Sequence, residues 1–477
     1  MRRPNDLAIT CLWLMLGLQS GCAGLRPLPP APPQATPALQ TCQVRAAAGS
    51  TAIQQTAFQG PSQEDASPFA GLSELTVEPL IERTLARNPS LAQMQAAWQA
   101  ATARYPQVTS REDPVVGVST APGAWGSDTV SGGYRLEASQ KFPLAGKLRL
   151  RGAMALAEAG ASGSDVDDMR LRLIESAKNA FADYYLVARA LAVNDETLAR
   201  LQEFRAAAEA LYKAPPKEKM VSLQDVYQTD VEIGRQQERR LTLERMRQVA
   251  VARINTLANL PPDTPLPPPA KEVAPVDALP AAPILRAAAL DHRPDLRALT
   301  ERLAADQAAL DFARKEFYPD VEVMAAWDTF WQERPLRSQV GVRVNLPVRT
   351  ARRYGAIAEA EARLAQRRAE LVRLANEISF QVQEAYAQAQ ESERGQQLYE
   401  KKILPDVDRN VKTAQADYKT GQVPAVSVIE AERNRLTLYD RYYEIIADHM
   451  RRLAALERAV GGTIDSATPE PAKGIGL

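Results

Sequence analysis

Tyr134-Arg-Leu-Glu-Ala-Ser-Gln-Lys-Phe142 alternates apolar and polar side chains one by one, and so does Gln339-Val-Gly-Val-Arg-Val-Asn-Leu346. A period of two marks a strand with one apolar and one polar face. The strand before the second stretch continues the theme, with Val321, Val323 and Trp327 set against Asp320, Glu322 and Asp328. Val115 to Ala121, its counterpart before the first, alternates less cleanly. Loops over 122–133 and 328–337 join each pair as hairpin tips. Taken alone, the strands fit an ordinary antiparallel sheet with one wet face as well as a sheet in a membrane.

Working outward, the two hairpins are copies of one unit. Leu85-Ala-Arg-Asn-Pro89 faces Leu290-Asp-His-Arg-Pro294, Pro114 faces Pro319 and Val221-Ser222 faces Val426-Ser427, at an offset of about 205 residues. Phe142-Pro143 against Leu346-Pro347 slips by one residue. Solenoid repeats recur every ~20 to 50 residues, so this offset is the duplication of a whole helix-strand-strand-helix unit. A first helix is expected over about 74–104 and again over 279–316, and each hairpin leads into a long helical run ending near Tyr212 and Gly421. Heptad seams run through Ile357, Leu364, Leu371, Ile378 and Ala385, through Ile429, Leu436, Tyr443 and Met450, and through Tyr439, Ile446, Leu453 and Val460. Such seams pack helix on helix as in coiled coils. Pro405 should kink its helix, because it has no N–H and crowds the preceding turn.

Composition agrees with long helices packed through small side chains: aromatics are only 6% of the chain. With 58 basic and 58 acidic residues the formal net charge is zero, which gives no footprint for a nucleic-acid partner. Arg2 and Arg3, the apolar run from Leu7 to Leu18, then Ser20 and Gly21 before Cys22 read as an export signal over 1–21. Cys22 after small residues resembles a bacterial lipoprotein box and would be lipidated; Gln19 departs from the usual Leu, so plain cleavage stays open. Residues 22–70 read as a proline-rich linker, 71–265 as the first repeat, 266–278 as a second proline-rich linker, 279–463 as the second repeat and 464–477 as a flexible tail. No later stretch is apolar enough for a membrane-spanning helix. Four strands cannot close a barrel, and open edges in lipid would strand backbone groups, so membrane entry requires several copies; two would give eight strands and three twelve, both possible.

Three features together carry a family resemblance: the duplicated plan, Ile403-Leu404-Pro405 ahead of Tyr418-Lys-Thr-Gly421, and the run Val426-Ser-Val-Ile-Glu-Ala-Glu432. Over roughly residues 72–462 the chain resembles the TolC-like outer-membrane efflux proteins. Leu223-Gln-Asp-Val226 and the stretch from Ile254-Asn-Thr-Leu257 to Pro261-Pro-Asp263 resemble the branch serving heavy-metal resistance pumps. The resemblance implies a mainly α protein with a small β part. In a homotrimer, long coiled-coil helices would form a periplasmic barrel and four strands per chain a transmembrane β-barrel. It implies a passive efflux channel in the outer membrane of a Gram-negative-type bacterium. Its partners would be a periplasmic adaptor, a proton-driven inner-membrane pump and the surrounding lipids, and heavy-metal cations the cargo. Organic solutes or drugs are the alternative cargo, and a non-conducting lipid-anchored coiled-coil scaffold the alternative class.

Within that frame, the turn between the long helices of each repeat is the expected periplasmic tip. Asp225 and Glu430 hold equivalent repeat positions there, and Glu430 matches a family position that forms an acidic ring. A solvated carboxylate favoured by the helix dipole is the plainer alternative. Ser222 and Ser427 hold a neighbouring position that is often acidic in the family. Tyr418 and Gly421 belong to the second tip, while Pro216 sits where the offset puts Gly421, so the two turns should differ. Lys147, Arg149 and Arg151 follow the first hairpin, and Arg349, Arg352 and Arg353 the second. Cations at a helix start oppose its dipole by about 0.3–1 kcal/mol each, which suggests a compensating anion such as a lipid phosphate. Enzyme readings find little: His292 and His449 are the two histidines, and no cysteine cluster, phosphate loop or nucleophile elbow is present. No cofactor or metal site is expected.

Overall fold

The computed structural model describes residue 69 and residues 71–124, 128, 133–213, 222–271 and 279–464. Each repeat runs two helices, two strands, a long helical run and a last helix, the long run being one helix in the first repeat and two in the second. The first contains α1 (Val77–Arg87), α2 (Pro89–Thr109), β1 (Val115–Thr120), β2 (Tyr134–Phe142), α3 (Lys147–Tyr212) and α4 (Leu223–Leu257). The second contains α5 (Ala282–His292), α6 (Pro294–Lys315), β3 (Val321–Asp328), β4 (Ser338–Val344), α7 (Thr350–Leu398), α8 (Leu404–Lys419) and α9 (Ala425–Val460).

The single first helix expected in each repeat is two. Asn88 and Arg293 stand before prolines and are extended at ψ 124 in both copies. The proline ring disfavours helical backbone at the preceding residue, while proline itself is well placed to open the next helix. The expected kink at Pro405 is a π turn over Tyr399–Ile403, with the Leu404 N–H bonding Tyr399 O. The wider turn makes room for the ring without ending the helical path.

Two compact units divide the chain. One holds Gln95–Gly163 and Ala298–Leu371, and with them the four-stranded sheet, in order β1-β2-β3-β4 and antiparallel throughout. The start of α3 lies so close to α2 that a Cβ on Gly152 would fall 2.6 Å from Thr109 Cγ2. At Gly163 the Trp98 indole fills the same kind of gap.

The other unit holds the described residues of 47–94, 164–297 and 372–477. The duplication is visible in its packing. Leu80 of α1 is fully buried against Phe181 and Ile254, and Leu285, its copy in α5, against Ile378, Val382 and Leu456. The inter-repeat linker takes part: Leu75 N–H donates to Pro268 O (2.8 Å), Ala270 N–H to Leu75 O (3.0 Å), and Tyr184 Oη to Pro267 O (2.9 Å). Phe69, within the stretch read as linker, is buried in the same cluster. Gly461 ends α9 at φ +91, with its N–H on Arg458 O and that of Gly462 on Glu457 O. This is a Schellman closure, which needs a left-handed residue.

Candidate functional site

The sheet inverts the burial of a soluble protein. Along β2 the apolar Tyr134, Leu136 and Ala138 are exposed, whereas Arg135, Glu137 and Ser139 between them are half-buried. Cross-strand register puts Val116, Ala138, Ala325 and Val340 in one rung of the apolar face, flanked by the Val118-Leu136-Trp327 rung and by Val323 with Val342. Val116 is 73% exposed and Val340 71%. The opposite face carries Arg135, Glu137, Lys141, Glu322, Asp328 and Arg343, joined by Arg135–Glu137 (3.1 Å), Arg343–Glu322 (3.1 Å) and Arg135–Asp328 (3.9 Å). Three cations against three carboxylates leave that face electroneutral. An exposed apolar band opposite a polar, ion-paired face is what a strand needs between lipid and an aqueous lumen. The outer edges of β1 and β4 have no partner strand among the described residues.

Of the expected tip residues, Tyr418 lies in a buried cluster of the helical unit and Asp225 acts on it through its charge. Tyr418 is buried among Phe204, Val226, Ala425, Val428 and Ile429, with its ring 4.8 Å from that of Phe204. Burial and then the negative charge of Asp225 push its phenol up to about 12. Its hydroxyl has no hydrogen-bond partner among the described residues. Asp225 and Ser222 form a capping box: Ser222 Oγ accepts from Asp225 N–H (3.3 Å), and Asp225 Oδ2 accepts from Ser222 N–H (3.0 Å). Gly421 closes α8 at φ +74, with its N–H on Tyr418 O and that of Gln422 on Asp417 O. The start of α9 has no side-chain cap; Ser427 N–H bonds Pro424 O, and Glu430 is exposed. The two helix starts thus differ chemically. Pro216 and the turn around it, like Cys22, lie outside the described residues.

Above this cluster is a buried polar layer that the sequence reading missed. Glu232, 3% exposed, is gripped by Arg433 through Nη2 at 2.5 Å and by Gln236 at 3.0 Å. Burial works to raise its carboxyl, but those hydrogen bonds hold it below the usual carboxylate range. Arg435 reaches Asp408 Oδ1 and Glu196 Oε1, each at 2.9 Å, and lies over the Tyr439 ring. Glu432, 2% exposed, accepts from Gln415 (3.0 Å) and from no other described residue; burial raises its carboxyl despite the charges of Arg200 and Arg435. The signal was present, since Glu432 lies between Ile429 and Leu436 on the seam and Arg435 is a heptad from Val428.

The six basic residues do not act alike. Lys147 is turned inward and buried, with Nζ on Asp320 Oδ1 (2.7 Å) and Tyr318 O (2.8 Å). Arg353 closes the end of α6 through Glu316 O (2.9 Å), and Arg151 lies over Phe312. Arg149, Arg349 and Arg352 are exposed. His449 meets Ser392 Oγ at 2.9 Å and is half-buried, and that desolvation lowers its imidazole. No group of three His, Cys, Asp or Glu side chains able to hold a metal occurs among the described residues. No described helix is long and apolar enough to cross a membrane.

Residues 285–462 match the profile of the outer membrane efflux protein family. Comparison with curated proteins yields no sequence match. Among solved structures the chain is similar to CusC, at TM-score 0.68 and 17% identity, covering 85% of this chain and 98% of that one. It is similar to the Vibrio cholerae outer membrane protein VceC, at 0.67 and 20%, covering 81% and 96%. It is also similar to the Neisseria gonorrhoeae outer membrane channel MtrE, at 0.67 and 18%, covering 85% and 97%. The match to the outer membrane efflux protein family thus covers the second repeat, and the likeness to these solved channels extends the shared fold over both.

Proposed function

We propose that three copies of this chain close a twelve-stranded barrel in the outer membrane and pass efflux substrate outward from a periplasmic adaptor and a proton-driven inner-membrane pump. The observation that carries this reading is the inverted exposure of the sheet. Its apolar side chains are left exposed by the described residues, while its charged side chains pair on the other face. β1 and β4 run in opposite directions, so the free edge of β4 can pair antiparallel with β1 of the next copy, and closure leaves no open edge in lipid. Such a channel does no chemistry. Residues 1–21 would direct export, Cys22 would carry the lipid, and 71–265 and 279–463 would each contribute half a wall.

We assign the turn cluster as the gate, with Tyr418 and Asp225 in contact through charge and Ser222, Ser427, Gly421 and Glu430 setting its rim. The cargo we propose is heavy-metal cations. Support comes from the Leu223–Val226 and Ile254–Asp263 resemblance and from carboxylates at Asp225 and Glu430, which would draw cations to the rim. Planar-bilayer recording tests the channel: reproducible unitary conductance is expected from the purified trimer, and its absence would favour a scaffold. For the cargo, a deletion strain should become sensitive to divalent heavy metals. Sensitivity to antibiotics or solvents with unchanged metal tolerance would replace metals by organic solutes.

A further inference from the structure

One edge of the sheet concentrates cations that the chain does not use. Phe142, Val321 and Val344 share its last rung, so the chain leaves β2 and β4 there and enters β3 between them. The three passages are tied together: Lys147 Nζ holds Asp320 and Tyr318 O, Asn345 N–H bonds Asp320 O (3.2 Å), and Arg353 Nε bonds Glu316 O. Those contacts bury Lys147 and hold the half-buried Arg353 against the chain. Arg149, Arg349 and Arg352 remain, exposed and without an ion pair to any described residue. Carboxylates on this edge are fewer: Asp320 is held by Lys147 and Glu112 by Lys141, leaving Asp113 and Glu316.

Around the arginines the exposed surface is apolar and aromatic. Val348 is 79% exposed and Leu346 68%, with Tyr318 and Tyr354 beside them in sequence on the same passages. Arginine beside tyrosine and aliphatic side chains, at the margin of an apolar band, is the composition of a membrane interface. A soluble protein partner would leave the adjoining Val342 and Val340 still uncovered; lipid covers both with one occupant. The charge selects the headgroup, because guanidinium forks pair with phosphate in two hydrogen bonds.

We propose that Arg149, Arg349 and Arg352 form a site for the phosphates of anionic glycerophospholipids at this edge of the sheet. The inference rests on the sheet being a membrane wall, and it adds which lipids the wall selects.

Native mass spectrometry of the full-length purified trimer, offered phosphatidylglycerol and phosphatidylcholine of equal chain length, tests it. Retention of phosphatidylglycerol over phosphatidylcholine is expected, falling about fivefold for each arginine removed in Arg149→Gln, Arg349→Gln and Arg352→Gln. Arg245→Gln and Arg373→Gln, exposed on α4 and α7, should leave it unchanged. Inorganic phosphate at equal concentration should not displace the lipid. Equal retention of the two lipids, a preference that survives the three substitutions together, or displacement by inorganic phosphate would overturn the site. If the triple variant fails to assemble, the single variants decide. Conductance of the wild type in pure phosphatidylcholine bilayers separates the failures: if it persists while lipid preference is absent, the channel stands and the lipid site falls.

Discussion

Replacing Val340 by arginine asks the sheet which solvent it faces. Val340 sits in the middle rung of the apolar face with Val116, Ala138 and Ala325, two rungs from either end. At 71% exposure it makes few contacts within the chain. In a soluble sheet such a substitution should therefore change stability by less than ~0.5 kcal/mol. On the lipid face near the bilayer midplane, the same arginine costs about 2–4 kcal/mol. At 1.4 kcal/mol per factor of ten, that is roughly 30- to 700-fold in the folding equilibrium of each copy. Three copies in one barrel would lose about 6–12 kcal/mol, comparable to the whole stability of an ordinary domain. Gln339→Lys, one residue away, points to the polar face beside Ala326 and should be nearly silent. Urea titration of protein refolded into phosphatidylcholine vesicles reads both, and heat-resistant trimer in isolated outer membranes gives a second measure. If Val340→Arg and Gln339→Lys behave alike, the assignment of faces is wrong and the membrane reading of the sheet goes with it.

Two further outcomes follow from the helical unit. Burial raises the Glu432 carboxyl above its unfolded value, so the folded state holds its proton more tightly. Stability from this group is therefore greatest below the ordinary carboxylate range and declines as pH rises toward the folded value. Glu432→Gln should flatten that decline in a melting-temperature series, and an unchanged slope would show that Glu432 is ionised throughout. Gly461→Ala should cost about 1–2 kcal/mol for left-handed backbone, with more added because its Cβ would lie 3.1 Å from the Arg293 backbone. Gly234→Ala, mid-helix in α4 with open space around it, should instead gain about 0.5–1 kcal/mol. Chemical denaturation compares the two, and equal effects would argue against the Schellman closure.

Local periodicity was readable because it is written within a few residues of itself. The alternation of Tyr134 to Phe142 returned as β2 and that of Gln339 to Leu346 as β4 only as far as Val344, and Pro89 and Pro294 open equivalent helices. The break at Asn88-Pro89 was also on the page, yet apolar periodicity on both sides masked it. What escaped depends on partners far away in sequence. Lys147 reads as one more cation after a hairpin until Asp320, 173 residues on, takes it up. Nothing local to Glu432 and Arg435 shows that Gln415, Asp408 and Glu196 enclose them. The lipid-facing sense of the sheet was ambiguous for a different reason: alternation fixes two faces but does not say which one meets the rest of the chain.

The π turn before Pro405 does more than admit a ring. Ser392 is buried on the α7 side of the turn and Leu404 on the α8 side, twelve positions later. In an unbroken helix at about 100° per residue, Leu404 would be rotated by about 120° from Ser392 and its seam would turn toward solvent. The extra residue absorbed by the π turn cancels nearly all of that rotation. Ser392, Leu404, Val407 and Val411 therefore stay in phase along one wall. Deleting one residue from 399–403 while replacing Pro405 by alanine would give a regular helix with the same seam, so this turn is where the helical path from α7 to α8 can tolerate a change of length.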